Sequence, residues 1–149
     1  MMPLLQKCAA IADGRLPKAI GPQTHTVIDY ALAASFFVAA GIYWRRNRRA
    51  AIGSLVCGSA AALNSALTDY PGGIRKLMSF RTHGKLDAGL AALTATMPRL
   101  MDFAADSESQ FFTIQSMLTT AVTAATDYEC YGDDGALRGT GRQDEEQIA

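Results

Sequence analysis

The chain has 149 residues with 14 basic and 14 acidic side chains, and hydrophobic residues make up 49% of it. This length fits one domain and leaves no room for a separate catalytic module. The balanced charge argues against a nucleic-acid-binding protein, and the hydrophobic content argues against a disordered one.

Four apolar stretches follow one another along the chain, each long enough for a helix. The first has Asp29 as its only charged residue, and the second has none, with Asn64 as its one strongly polar residue. The second stretch lacks a polar face at the helical period, so we expect lipid around it rather than water. We therefore predict an all-α protein, a bundle of four transmembrane helices. The stretches are residues 27–44, 50–67, 86–101 and 111–125.

A short motif occurs twice at a fixed displacement. Residues 24–29 read Thr-His-x-x-Ile-Asp, and residues 82–87 read Thr-His-x-x-Leu-Asp, 58 residues later. The Thr-Asp-Tyr of residues 68–70 returns at residues 126–128 with the same displacement of 58. This pattern predicts two tandem helical hairpins in a parallel repeat, because two crossings return the chain to its starting side. The predicted parts are an N-terminal segment (1–23), hairpin repeat 1 (24–73), hairpin repeat 2 (82–131) and a disordered polar tail (132–149).

The two histidines of the chain both lie in the duplicated motif. In a helix His25 shares a face with Asp29, and His83 shares one with Asp87, because residues four apart are neighbours. An even number of crossings also brings the aspartates of the two Thr-Asp-Tyr motifs to the same end of the bundle. We therefore expect one polar cluster there. Its members are His25, Asp29, Asp69, His83, Asp87 and Asp127.

The polar cluster has more than one interpretation. In the structural one, Thr24 and Thr82 cap their helices and the His and Asp pairs tie the hairpins together. The aspartates at helix C-termini then pair with a histidine or with a loop base such as Lys76, because they oppose the helix dipole. In the second interpretation the cluster holds a divalent metal ion or a haem. In the third interpretation it forms part of a proton or ion pathway. The candidate cofactor ligands are His25 and His83, and the candidate metal ligands are Asp29, Asp69, Asp87 and Asp127.

The arrangement resembles the SPW-repeat family of small bacterial integral membrane proteins, which carry two-helix repeats with a Ser-Pro-Trp motif in the first helix. The duplicated hairpin and the polar entry at residues 82–87 carry the likeness. Where the tripeptide is expected, residues 97–99 read Met-Pro-Arg and residues 39–41 read Ala-Ala-Gly. The resemblance covers residues 24–128 and implies a fold and a membrane location, with no established activity.

From these features we expect a small integral membrane protein with a structural or accessory role and no enzymatic activity. It would pack against a larger membrane complex or against its own copies. The alternative function is metal or haem binding at the polar cluster. The expected location is the bacterial inner membrane, with the lipid bilayer rather than nucleic acid as partner, and the basic residues favour cytoplasmic termini.

Overall fold

The computed structural model describes residues 18–128, and this part of the chain is mostly helical. The prediction of an all-α protein is confirmed, with two very short strands between the second and third helices. The predicted tail and the N-terminal segment up to residue 17 lie outside the described residues. The elements are α1 (Pro22–Tyr43), α2 (Arg48–Ala66), β1 (Thr68–Asp69), β2 (Met78–Ser79), α3 (Phe80–Leu100) and α4 (Ser109–Ala125).

Two local signals set where α1 and α3 begin. Pro22 opens α1 directly after the extended residue Gly21, because proline's fixed φ and missing N–H suit the first helical turn. Ser79 caps α3, since its hydroxyl accepts a hydrogen bond from the Thr82 N–H at 3.3 Å. The prediction that Thr24 and Thr82 cap these helices is therefore wrong, and both lie within the first helical turn.

The helices form two hairpins, α1 with α2 and α3 with α4, and α2 also packs against α3. The turns of the two hairpins meet at one end. There Arg49 Nη1 donates to Asp102 Oδ2 at 2.7 Å. Asn47 Nδ2 donates to Asp106 Oδ2 at 2.7 Å. Polar contacts therefore join the turns of the two hairpins. The apolar core lies next to these turns, inside the bundle. The buried residues of this core are Phe36, Ala50, Cys57, Met97, Phe103 and Phe112.

Backbone pairing joins the hairpins at the opposite end. β1 pairs in parallel with β2, with Thr68 opposite Met78. Ile20 pairs in parallel with Thr126 in the same way. Ile20 and Met78 are 58 residues apart, and so are Thr68 and Thr126. The last residues of each hairpin thus pair with the residues that precede the other, which brings both His/Asp motifs to this end.

Among the described residues, one helix combines the length and the hydropathy of a membrane span, namely α1. The four helices contain 17 to 22 residues each. α4, with 17 residues, is the shortest of them. Composition separates α2 and α3 from α1, because α2 is rich in Ala, Gly and Ser and α3 carries four charged residues. By this measure the predicted set of four transmembrane helices is not supported.

Candidate metal centre

The duplicated motif places a histidine and an aspartate early in both α1 and α3. His25 is the fourth residue of α1, and His83 is the fourth residue of α3. Asp29 and Asp87 follow four residues later, one helical turn further into the bundle. All four side chains are buried, and both histidines are 0% exposed. We call these four residues the His/Asp cluster.

The four side chains of the His/Asp cluster converge on one point. The Nε2 atoms of His25 and His83 are 3.0 Å apart. Asp29 Oδ2 lies 3.3 Å from His25 Nε2 and 3.0 Å from His83 Nε2. Asp87 Oδ2 lies 3.2 Å and 3.0 Å from the same two nitrogens. Each residue therefore offers one nitrogen or oxygen atom within 4.8 Å of the other three.

These separations suit a four-coordinate metal ion. Zinc–ligand bonds of about 2.0–2.2 Å in a tetrahedron hold neighbouring ligand atoms about 3.3–3.6 Å apart. The nitrogen–nitrogen and nitrogen–oxygen separations in the cluster, 3.0 to 3.3 Å, are slightly shorter, so small side-chain shifts would accommodate an ion. A haem does not fit between the histidines, because their Nε2 atoms are only 3.0 Å apart and a porphyrin ring would have to separate them.

Two threonines contact the outer nitrogens of the imidazoles. Thr68 Oγ1 lies 2.8 Å from His83 Nδ1. Thr126 Oγ1 lies 2.8 Å from His25 Nδ1. Both threonines are 0% exposed and belong to the paired segments at the end of each hairpin. Each histidine is therefore held by the hairpin to which it does not belong.

Uncharged donors hold the two carboxylates. Asp29 Oδ2 accepts hydrogen bonds from Ser65 Oγ and Tyr70 Oη, both at 3.3 Å. Asp87 Oδ1 accepts one from Asn64 Nδ2 at 2.8 Å. Burial raises the pKa of Tyr70, so its hydroxyl keeps its proton and remains a donor. These contacts orient the carboxylates without neutralising their charge.

Aromatic rings cover the imidazoles. The ring of Phe80 lies 5.3 Å from that of His25 and 5.9 Å from that of His83, measured between centroids. Tyr128 lies 5.5 Å from His25, and Tyr70 lies 5.3 Å from His83. Such a cover keeps water from the cluster and strengthens the electrostatic interactions within it.

The structure does not bring Asp69 and Asp127 into the cluster. Asp69 Oδ1 pairs with Lys76 Nζ at 2.8 Å, one of the loop bases expected as its partner. Asp127 follows Thr126 in the paired segment, and its N–H donates to Ile20 O at 3.1 Å. Four of the six predicted residues therefore converge, and two do not.

The Thr-Asp-Tyr motif contributes to the site through its threonine and tyrosine, which were not among the predicted site residues. Successive side chains of an extended segment point to opposite sides, so Thr68 and Tyr70 face inward while Asp69 faces outward. Thr126 repeats the position of Thr68 in the second hairpin. The duplicated motif contained this signal, since threonine recurs in it as strictly as aspartate does.

Comparisons of this chain with protein-family models, with curated proteins and with solved structures find no match. The resemblance to the SPW-repeat family therefore stays a prediction. A function has to follow from the geometry and chemistry of the His/Asp cluster itself.

Proposed function

We propose that this protein binds one divalent transition-metal ion at the His/Asp cluster and that the ion fastens the two hairpins together. The main support for this proposal is that two imidazole nitrogens and two carboxylate oxygens converge in a buried site. Burying two carboxylates is costly unless opposite charge compensates them. Each hairpin supplies one histidine and one aspartate, so an ion bound to all four would bridge the hairpins.

Charge and ligand type favour a divalent ion. Asp29 and Asp87 together carry two formal negative charges, which a divalent cation neutralises. Imidazole suits zinc, copper, iron and nickel, whereas a site for magnesium or calcium is normally built from oxygen ligands alone. A four-coordinate set of two nitrogens and two oxygens fits Zn²⁺ best, and Fe²⁺ is the main competitor.

The arrangement is that of a structural site. Catalytic zinc sites keep one coordination position for water or substrate, whereas structural sites fill all four positions with protein ligands. His25 and His83 are fully buried under aromatic rings, and Asp29 and Asp87 are 8% and 5% exposed. An ion held in this way supports the structural or accessory role that the sequence predicts.

Metal analysis tests the proposal directly. We expect the protein purified in mild detergent, after incubation with Zn²⁺ and gel filtration, to contain about one ion per chain. The double variant Asp29→Asn/Asp87→Asn should lose the ion, because asparagine retains the shape but not the charge of the ligand. Asp69→Asn is the matched control, since Asp69 lies at the same end of the bundle and pairs with Lys76 instead. It should keep its metal.

Two outcomes would contradict metal binding. One is a wild-type protein without stoichiometric metal, and the other is equal metal content in the wild type and the double variant. In either case the His/Asp cluster would tie the hairpins through imidazolium–carboxylate pairs. Circular dichroism of the double variant should show that its helices are retained, so that loss of metal is not simply loss of fold.

We further propose that the bundle lies in a membrane with all four helices crossing it. What supports this is the position of the exposed charges. α1 and α4 have no exposed charged residue, and the exposed charges of α2 and α3 lie within two turns of a helix end. Between these ends the outer surface carries no charge, and it exposes large apolar side chains such as Val56 and Met117, at 48% and 66%. The charged residues at the ends are Arg48, Arg49, Arg81, Lys85 and Arg99.

Helix length and the turn residues agree with this placement. Helices of 17 to 22 residues are about 26–33 Å long, close to a hydrocarbon core of about 30 Å. Trp44 is 46% exposed at the turn of the first hairpin, and the Arg48 guanidinium lies 5.1 Å from its ring centroid. Aromatic and basic residues of this kind are typical of the membrane–water interface.

Cysteine labelling tests the membrane placement. Val56 in the middle of α2 and Leu77 in the loop before β2 are 48% and 71% exposed, so both are open at the protein surface. In membrane vesicles a water-soluble maleimide should label Leu77→Cys but not Val56→Cys, in a background whose native cysteines are serine. Both permeabilised and sealed vesicles are needed, because Leu77 is reached from one side only. Equal labelling of the two positions would contradict the placement of α2 in lipid.

A further inference from the structure

We propose that Thr68 and Thr126 are positioning residues of the metal centre, each fixing which nitrogen of a histidine faces the ion. This inference rests on the proposed metal binding at the His/Asp cluster. The threonine oxygens contact the Nδ1 atoms, on the opposite side of each ring from the Nε2 atoms that face the cluster. Each acts on the outer nitrogen of an imidazole, at a distance of 2.8 Å.

The number of protons decides the direction of these hydrogen bonds. Thr68 Oγ1 lies 2.6 Å from Asn64 O, and Thr126 Oγ1 lies 2.6 Å from Val122 O. A carbonyl oxygen can only accept, and a hydroxyl has a single proton, so each threonine donates that proton to its carbonyl. The threonine oxygen must then accept from the imidazole. The Nδ1 atoms of both histidines therefore carry a proton.

This tautomer directs both Nε2 lone pairs into the centre of the cluster. A neutral imidazole carries one proton, so the proton on Nδ1 leaves Nε2 of His25 and of His83 as an acceptor. Metal ligands must be deprotonated, so an ion bound here replaces any proton on Nε2. The two Nε2 atoms and the facing oxygens of Asp29 and Asp87 lie 3.0 to 3.3 Å from one another's nearest partners, so all four can bond to one cation. Metal-binding histidines generally donate their other ring N–H to such an outer partner.

The threonines act across the boundary between the hairpins. His25 in α1 is held by Thr126 after α4, and His83 in α3 is held by Thr68 after α2. The strand pairings of Thr68 with Met78 and of Ile20 with Thr126 hold the two threonine backbones in place. The ligand nitrogens are therefore aimed correctly only when both hairpins are docked in this register.

Replacing the threonines in the full chain tests the inference, with Zn²⁺ as the probe. Valine has nearly the shape of threonine without its hydroxyl. We expect Thr68→Val/Thr126→Val to raise the Kd for Zn²⁺ about 10- to 100-fold, as loss of an outer partner of a metal-binding histidine does. Thr68→Ser/Thr126→Ser restores the hydroxyl and should restore the affinity. Thr94→Val is the control for a buried threonine outside the site, since Thr94 lies in α3 and is 1% exposed.

A spectroscopic readout separates positioning from a merely structural role. In ¹⁵N-histidine NMR spectra of the Zn²⁺-loaded wild type, both imidazoles should show protonated Nδ1 and metal-bound Nε2. The valine variant should lose this uniform pattern while its circular dichroism stays helical. Wild-type affinity in the valine variant, or Nδ1 coordination in the wild type, would overturn the role of the threonines and leave metal binding standing. A wild type that binds no Zn²⁺ would overturn both proposals.

Discussion

If the proposed ion is bound, removing it from the purified protein should lower the midpoint of thermal unfolding by about 10 °C, because an ion that binds only the folded chain and bridges its two hairpins stabilises the folded state. A ligand at about 1,000 times its Kd stabilises the folded state by about 4 kcal/mol. For a chain of this size each kcal/mol corresponds to a shift of roughly 2–4 °C. The ligand residues come from α1 and α3, so without the ion the buried charges of both hairpins lose their common partner.

The measurement is a melting curve in detergent before and after treatment with a chelator, followed by addition of Zn²⁺. The chelator should lower the midpoint, and Zn²⁺ should bring it back. The Asp29→Asn/Asp87→Asn variant provides the control, because its midpoint should be the same under all three conditions. A wild-type midpoint that stays unchanged after complete removal of metal would show that the ion does not fasten the hairpins.

Gly73→Ala should destabilise the protein by about 2 kcal/mol or more, a large effect for one methyl group. A Cβ at position 73 would overlap the Thr68 carbonyl oxygen and come within 3.0 Å of the Thr68 carbonyl carbon. These are backbone atoms that cannot rotate away. Thr68 is also paired with Met78 and accepts the Tyr70 N–H at 3.1 Å. Relieving the overlap therefore means moving the segment that holds His83.

Two measurements check this prediction. In Gly73→Ala the midpoint of unfolding should fall, and the Kd for Zn²⁺ should rise. The matched control is Gly89→Ala in α3, where a Cβ would meet nothing within 4 Å. Alanine is preferred over glycine within a helix by about 0.8–1.0 kcal/mol, so this control should be neutral or slightly stabilising. If Gly73→Ala melted like the wild type, the turn after β1 would not hold the site as tightly as its packing implies.

The helical hairpins were predictable because their signals are local. Long apolar stretches separated by Arg-rich or Pro-Gly segments indicate four helices, and the repeated motif indicates how they pair in sequence. The helix starts were less predictable. α1 begins at Pro22 and α3 begins directly after Ser79, in both cases before the threonine of the motif. A proline in the first turn and a serine cap each favour a helix start at these earlier positions.

Composition alone does not predict which helices of this protein lie in a membrane. Helices made of small residues have modest hydropathy whether they pack in lipid or in water, so α2 and α4 are ambiguous by composition. The structure adds which side chains point outward. That the exposed surface between the helix ends carries no charge is a property of the packed bundle, and a linear average over the sequence does not contain it.

Helical geometry brings residues four apart together, so the sequence predicted the pairing of His25 with Asp29 and of His83 with Asp87, and the repeat predicted that both pairs lie at one end of the bundle. The sequence did not show that the imidazoles of the two pairs lie 3.0 Å apart, that Asp69 stays outside the cluster, or that Thr68 and Thr126 hold the imidazoles; these follow from the packing of the hairpins. The physical reason is distance along the chain. The helical repeat brings together only residues a few positions apart. Thr126 contacts His25, 101 residues away, because the end of one hairpin pairs with the start of the other.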